Sequence, residues 1–191
     1  MARERKFSDK TLYNAAKHIL LNNGYEGFTF SLLADKLKVS RGALYKYYEN
    51  KEELIMDYMI FEMNRFLAEL KEIDNYDRFD SQFDFLIRLM FKHNKIHQVL
   101  GFSYQITATI SKNIKVKKVH LEKLHLEMYS VLQSFIQQGR KEQLLNPSIK
   151  DELLLGFIFQ SVDIPNHSEI PQTEWVRSVK ELISHGMFTD K

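Results

Sequence analysis

An all-α fold is what this 191-residue sequence predicts, and three observations predict it. No proline occurs before Pro147 and only seven glycines occur in the whole chain, which argues against a turn-rich β architecture. Apolar residues recur at three- and four-residue spacing over most of its length, the stripe that an amphipathic helix buries. With 44% apolar and 27% charged residues, the composition is that of a globular protein able to build a core.

The elements follow in order. Leu12, Ala15, Ala16, Ile19 and Leu20 mark a first helix over Thr11–Asn22, with Ser8 or Asp9 as its cap and Asn23-Gly24 as its end. Thr29 is placed to cap a short second helix, Phe30–Leu37, whose apolar face is Leu33, Ala34 and Leu37. Lys38-Val39-Ser40 makes a tight break, and Ser40 opens a third helix, Arg41–Tyr47. Asn50 and Glu53 have the spacing of a capping box at the head of a long helix running to about Lys71. Phe79, Phe83, Leu86 and Met90 keep the period, as do Leu121, Leu124, Met128, Val131 and Phe135, where Gly139 is expected to stop the helix. After Pro147-Ser148, Leu153–Phe159 is apolar on every face. Such a helix needs cover on both sides, and in a chain this short the second cover is expected to be another copy. A last helix carries Trp175, Val179, Leu182 and Ile183.

Charge is uneven. Residues 1–51 hold ten Lys/Arg against five Asp/Glu, a net +5, while residues 52–191 hold seventeen against twenty, a net −3, together the +2 of the whole chain. A basic N-terminal quarter on an acidic remainder points to a polyanion at one end only. Zero cysteines exclude disulfides, thiolate metal sites and cysteine nucleophiles. The longest uncharged run, Ile96 to Ser111, falls short of the roughly 20 apolar residues that cross a bilayer. Met1 to Lys10 is charged rather than an apolar signal core, so the expected location is cytoplasmic, away from membranes.

Two short helices joined by a tight turn over residues 29–48 read as a helix-turn-helix. The first helix braces the second, which lies in the DNA major groove and offers its N-terminal residues to base edges. Val39 fills the corner, Leu44 anchors the second helix to the core, small Gly42 and Ala43 permit close approach, and Arg41, Tyr45 and Lys46 point outward. The stretch GFTFSLLADKLKVSRGALYKYYENKEEL then resembles the DNA-binding signature of the TetR (tetracycline-repressor) family of bacterial regulators. The matching positions are Thr29, Leu33-Ala34, Val39-Ser40-Arg41-Gly42, Leu44-Tyr45, Tyr47-Tyr48 and Lys51-Glu52-Leu54, within a similarity covering residues 5–65. Lys38 stands where the family most often has glycine, a cost of about 1 kcal/mol if the position is left-handed. Ala43 replaces a frequent threonine.

The resemblance implies a three-helix DNA-binding domain over residues 1–51 and a helical effector and dimerisation domain over 52–191, about nine helices in all. It implies that Thr29 and Ser31 meet phosphates and that Ser40, Arg41, Gly42, Ala43, Tyr45 and Lys46 face the major groove. Tyr47 and Lys51 hold the backbone, with Arg3, Arg5 and Lys6 as an accessory arm. The partners it implies are double-stranded operator DNA, a small apolar or aromatic effector and a second copy of the chain. Phe83, Met90, Phe102, Tyr104, Met128, Phe135 and Phe159 are the candidates for lining an effector pocket. Leu153, Leu154, Phe157, Ile158, Trp175, Val179 and Leu182 are the candidates for the dimer face.

No P-loop, GxGxxG run or nucleophile-elbow spacing occurs, so catalysis is not expected and no cofactor is called for. His93 and His97 lie four apart, and His120 and His125 five apart. Lacking an HEXXH arrangement and cysteines, they are expected to be solvated or hydrogen-bonding rather than metal ligands.

Overall fold

The structure is a computed structural model that describes residues 7–106 and 111–187, apart from the side chains of residues 96–98 and 187. The described residues form nine α-helices: α1 (Asp9–Gly27), α2 (Phe30–Leu37), α3 (Arg41–Tyr45), α4 (Lys51–Leu70), α5 (Phe79–Lys92), α6 (Asn94–Gly101), α7 (Lys112–Lys141), α8 (Asp151–Gln160) and α9 (Gln172–Met187). They divide into two compact units. One comprises the described residues up to Asn64 together with Lys95–Lys123, the other Arg65–Asn94 together with the described residues from Leu124 onward. The described residues of Lys95–Lys123 therefore share one compact unit with the helix-turn-helix, which no local signal in the sequence announces. Residues 1–64 and 95–123 carry sixteen Lys/Arg against ten Asp/Glu, a net +6, and the remainder eleven against fifteen, a net −4, again +2 in all. The charge asymmetry seen between the two ends of the chain is thus kept between the compact units.

In the first unit, α1 begins where Ser8 accepts the Thr11 amide at 3.1 Å. Its regular part ends at Gly24 (φ 68°, ψ −177°), after which a further helical turn reaches Gly27. That backbone region is open essentially to glycine alone, so the kink is written into the residue. Leu12, Ala16, Leu20, Phe28, Leu33 and Leu44 are sealed from solvent in one core, with Val39 packed at its edge. Helix α2 closes through Lys38, which takes the left-handed conformation (φ 54°, ψ 45°). The Lys38 amide donates to Asp35 O and the Val39 amide to Ala34 O, the paired closure that glycine usually supports. Lys38→Gly is expected to raise the unfolding free energy by about 1 kcal/mol, read as a higher Tm.

Helix α3 is shorter than expected. It stops at Tyr45, and turns bring the Tyr47 and Tyr48 amides to Leu44 O at 2.9 and 3.1 Å. The unwinding lets Tyr48 turn into the core while Tyr47 stays exposed.

In the second unit, Phe79 stacks on Phe135 with ring centres 4.7 Å apart and on Phe83 at 6.2 Å. Gly139 does not stop α7, which runs two residues further; Gln143 (φ 57°) makes the left-handed exit instead. The glycine serves close approach. A Cβ there would stand 2.6 Å from the Phe79 ring and 2.7 Å from Leu145 Cδ1. Gly139→Ala is expected to lower stability by about 1–3 kcal/mol in a denaturant melt, overpacking outweighing the better helix propensity of alanine. Arg140 fastens the following loop by donating to Asn146 O at 2.6 Å, Ile149 O at 2.5 Å and Asp151 Oδ1 at 2.7 Å. No helix among the described residues is long and apolar enough to cross a membrane.

Candidate nucleic-acid interface

Thr29, which caps α2 by accepting the Leu32 amide at 3.3 Å, is exposed, as is Ser31 in the first turn. Across the turn, Ser40, Arg41, Gly42, Tyr45, Lys46 and Tyr47 are all exposed and Ala43 is half-buried, while Leu44 is fully buried. One buried leucine thus fixes a short helix whose other residues, half-buried Ala43 apart, are exposed. Tyr45 is 57% exposed, but its ring meets Phe30 edge-on at 4.9 Å, so the side chain is held rather than loose. Tyr47 is braced in the same way against Phe7, with ring centres 5.9 Å apart. Ser40 makes no side-chain capping bond, which leaves its hydroxyl available outward. A Cβ on Gly42 would find only Ser40 Oγ at 3.9 Å, so the fold does not require glycine there. Arg3, Arg5 and Lys6 lie outside the described residues.

Lys51 makes contacts within the chain. It is half-buried, its ammonium donates to Tyr25 O at 2.9 Å, and it sits 4.3 Å from the centre of the Tyr25 ring. The Tyr25 hydroxyl in turn donates to Glu52 Oε1 at 2.9 Å. Burial and that bond push the Tyr25 phenol up to about 12, so it remains a proton donor at any working pH. The capping box forms on Asn50, whose Oδ1 accepts the Glu53 amide at 2.9 Å, while Glu53 Oε2 reaches the Glu49 amide at 3.1 Å. Glu53 Oε1 also accepts from Asn113 at 3.4 Å, and Lys117 bonds Asp57. The first turn of α4 is therefore tied both to α1 and to α7. Sequence reasoning missed these ties, since their partners lie 26 to 60 residues apart and no short pattern links them.

The expected effector residues do not gather in one place. Phe83, Met90, Met128, Phe135 and Phe159 are buried in the second unit. Phe102 belongs to the first unit, packed against its core. Tyr104 is 90% exposed in a single 3-10 turn. An opening of about 420 Å³ is bounded by Arg140, Pro147, Ile149, Lys150, Asp151 and Glu152, none of them in the expected set.

The dimer candidates also divide. Leu154, Ile158 and Val179 are buried within their own chain and so are not exposed contact residues. Their helices need cover on one face, and the chain supplies it. Leu153, Phe157 and Leu182 are left 64%, 53% and 71% exposed, and Trp175 is half-buried.

The histidines form no metal cluster among the described residues. The helix breaks at His93, between α5 and α6, so the spacing to His97 does not define one face, and the His97 side chain lies outside the described residues. His93 is buried, edge-on to Phe66 and 3.2 Å from Glu69. Burial alone would raise the Glu69 carboxyl, but hydrogen bonds from Lys92 and His93 outweigh it and hold it below the ordinary range. The stability this contributes is present above the ordinary carboxylate pKa and is lost as pH falls through the lowered value. Melting temperature is expected to drop on acidification, and Glu69→Gln to flatten that drop.

Comparison with known proteins agrees with this geometry. Residues 12–57 match the family described as bacterial regulatory proteins, tetR family. The HTH-type transcriptional repressor AcnR of Corynebacterium jeikeium is 23% identical over 80% of this chain and 74% of its own. Among solved structures, the ketosteroid transcriptional regulator KstR2 of Mycobacterium tuberculosis superposes with a TM-score of 0.75 at 16% identity, covering 100% of this chain and 98% of that one. The regulator FadR of Bacillus subtilis, in complex with stearoyl-CoA, gives 0.68 at 19% identity over 94% and 99%. These relatives are transcriptional regulators, not enzymes. The match to the bacterial regulatory proteins of the tetR family thus covers residues 12–57, the stretch that holds the helix-turn-helix.

Proposed function

We propose that the protein is a dimeric transcriptional repressor that reads a palindromic operator and leaves it when an apolar effector binds. The observation that carries this reading is the exposed row Ser40, Arg41, Tyr45 and Lys46 on a short helix anchored by fully buried Leu44. In this reading Thr29, Ser31 and Tyr47 hold phosphates and position the duplex, while Ser40, Arg41, Gly42, Ala43, Tyr45 and Lys46 meet base edges. The surplus positive charge of the unit containing them supports the polyanion partner. A second copy docks on the exposed face of Leu153, Phe157 and Leu182, with Trp175 at its margin. Two recognition helices then address half-sites about one helical turn apart.

The effector carries a large apolar body, as an acyl-CoA or a steroid does, by likeness to the stearoyl-CoA-bound FadR and the ketosteroid regulator. Phe83, Met90, Met128, Phe135 and Phe159 are the apolar walls available to it in the second unit. It acts by binding the DNA-released conformation more tightly than the DNA-bound one, since only a difference in affinity shifts the balance.

Selection of bound sequences from a randomised duplex pool at two salt concentrations tests the reading. A palindrome that survives the higher salt is expected, as is its release by stearoyl-CoA. Recovery of no consensus, with binding lost steeply as salt rises, would mean that only phosphates are held. The C-terminal domain would then be read as a protein-binding adaptor.

A further inference from the structure

We infer that Lys51 is a positioning residue that locks the end of α1 onto the start of α4, and thereby frames the helix-turn-helix, rather than a phosphate contact. The inference rests on the DNA-binding reading above and deepens it.

Lys51 is the first residue of α4, and its ammonium is directed to the carbonyl of Tyr25 and to the face of the same ring. Tyr25 O also accepts the Phe28 amide at 3.3 Å, so the ammonium neutralises the carbonyl that closes the last turn of α1. The ring it covers is 8% exposed, and its hydroxyl is held by Glu52, the next residue of α4. Two consecutive residues of α4 thus grip one tyrosine from both ends. That tyrosine follows Gly24, whose positive φ redirects the chain, and precedes Phe28 and Thr29, the fully buried anchor and the cap of α2. Three residues separate the grip at Tyr25 from Thr29, the cap of the bracing helix. Loosening it displaces α2, and with it α3, which share a core.

An ammonium with a carbonyl acceptor and an aromatic face loses both when it turns toward solvent. The Glu52 carboxylate in the same turn of α4 opposes the approach of a phosphate there. Both features favour an inward role.

The experiment uses the full chain, a duplex recovered by the selection above and a scrambled duplex of equal length. Anisotropy is read at a temperature where circular dichroism shows every variant folded, which removes any effect of stability alone. Lys51→Met is expected to weaken the selected duplex about tenfold, leave the scrambled duplex unchanged, and leave the slope of log affinity against log salt as in the wild type. Lys51→Arg, which keeps a donor and a cation for the ring, is expected to restore the preference. Paired with Tyr25→Leu, Lys51→Met is expected to add little, because both remove one grip.

Equal weakening on both duplexes, with a slope shallower by about 0.9 per subunit, would identify a phosphate contact and overturn the inference while the repressor reading stands. Unchanged affinity of Lys51→Met for both duplexes would overturn it as well. Failure of the wild type to prefer the selected duplex would overturn the repressor reading and the inference together.

Discussion

Lys46→Ala and Tyr45→Ala are each expected to reduce operator affinity about thirtyfold or more, measured by fluorescence anisotropy on the selected duplex. A good base contact is worth about 1–3 kcal/mol, and a symmetric dimer loses it twice. Both side chains are exposed at the end of α3, and Tyr45 is held in place by the edge of Phe30, so little ordering of that ring remains to be done on binding. Tyr45→Phe keeps the ring contact and removes only the hydroxyl. It separates a base-reading hydroxyl from a ring that packs on thymine or sugar. Lys46 makes no such ring contact, so Lys46→Ala is expected to leave the melting temperature within about 1 °C, as surface changes usually do. Wild-type affinity in both alanine variants would show that another face of the unit meets DNA.

The second large effect is expected from Phe157→Arg combined with Leu182→Arg. Both residues are more than half exposed, and no membrane-crossing helix among the described residues accounts for that apolar surface. Exposed apolar side chains of this size gain about 1.5–3 kcal/mol each on full burial, and each occurs twice in a symmetric interface. Four arginines placed in that interface bring like charges together without partners. The double variant is expected to sediment as a monomer at micromolar concentration. Its binding to the full palindrome should fall to the level seen with a single half-site. A dimer that persists would move the subunit interface elsewhere. The same substitutions at Leu154 or Ile158 would unfold the second unit instead, since those side chains are already buried in their own chain.

Histidines illustrate how little a spacing says when its continuity is unknown. The four-residue interval from His93 to His97 places both on one face only if a single helix contains them, and the chain breaks at His93. The break turns His93 inward to Glu69 and Phe66, a structural role. Gly139 carries the same lesson. Glycine near the end of an apolar stripe signals a helix stop by its flexibility, but here the missing Cβ makes room for Phe79, 60 residues earlier in the chain, and the helix continues.

What the sequence determined by itself was whatever local chemistry encodes. Ser8, Thr29 and Asn50 cap their helices because an oxygen three residues before an amide is a short-range fact. Lys38 is left-handed because a tight turn between two helices demands it there. The stripe ending in fully buried Leu44 placed the second helix of the pair, and with it the exposed row proposed to meet DNA. Only the tertiary structure decided the rest. In α8 every residue of Leu153–Phe159 except Gly156 is apolar, so nothing in the residue types separates the buried Leu154 and Ile158 from the exposed Leu153 and Phe157; the neighbouring helices make that choice. Lys51 reads as a free cation at a helix start until the fold brings Tyr25 beneath it. Periodicity reports which side of a helix is apolar. Which partner covers it, and which charge is already engaged, depends on contacts between residues far apart in the chain.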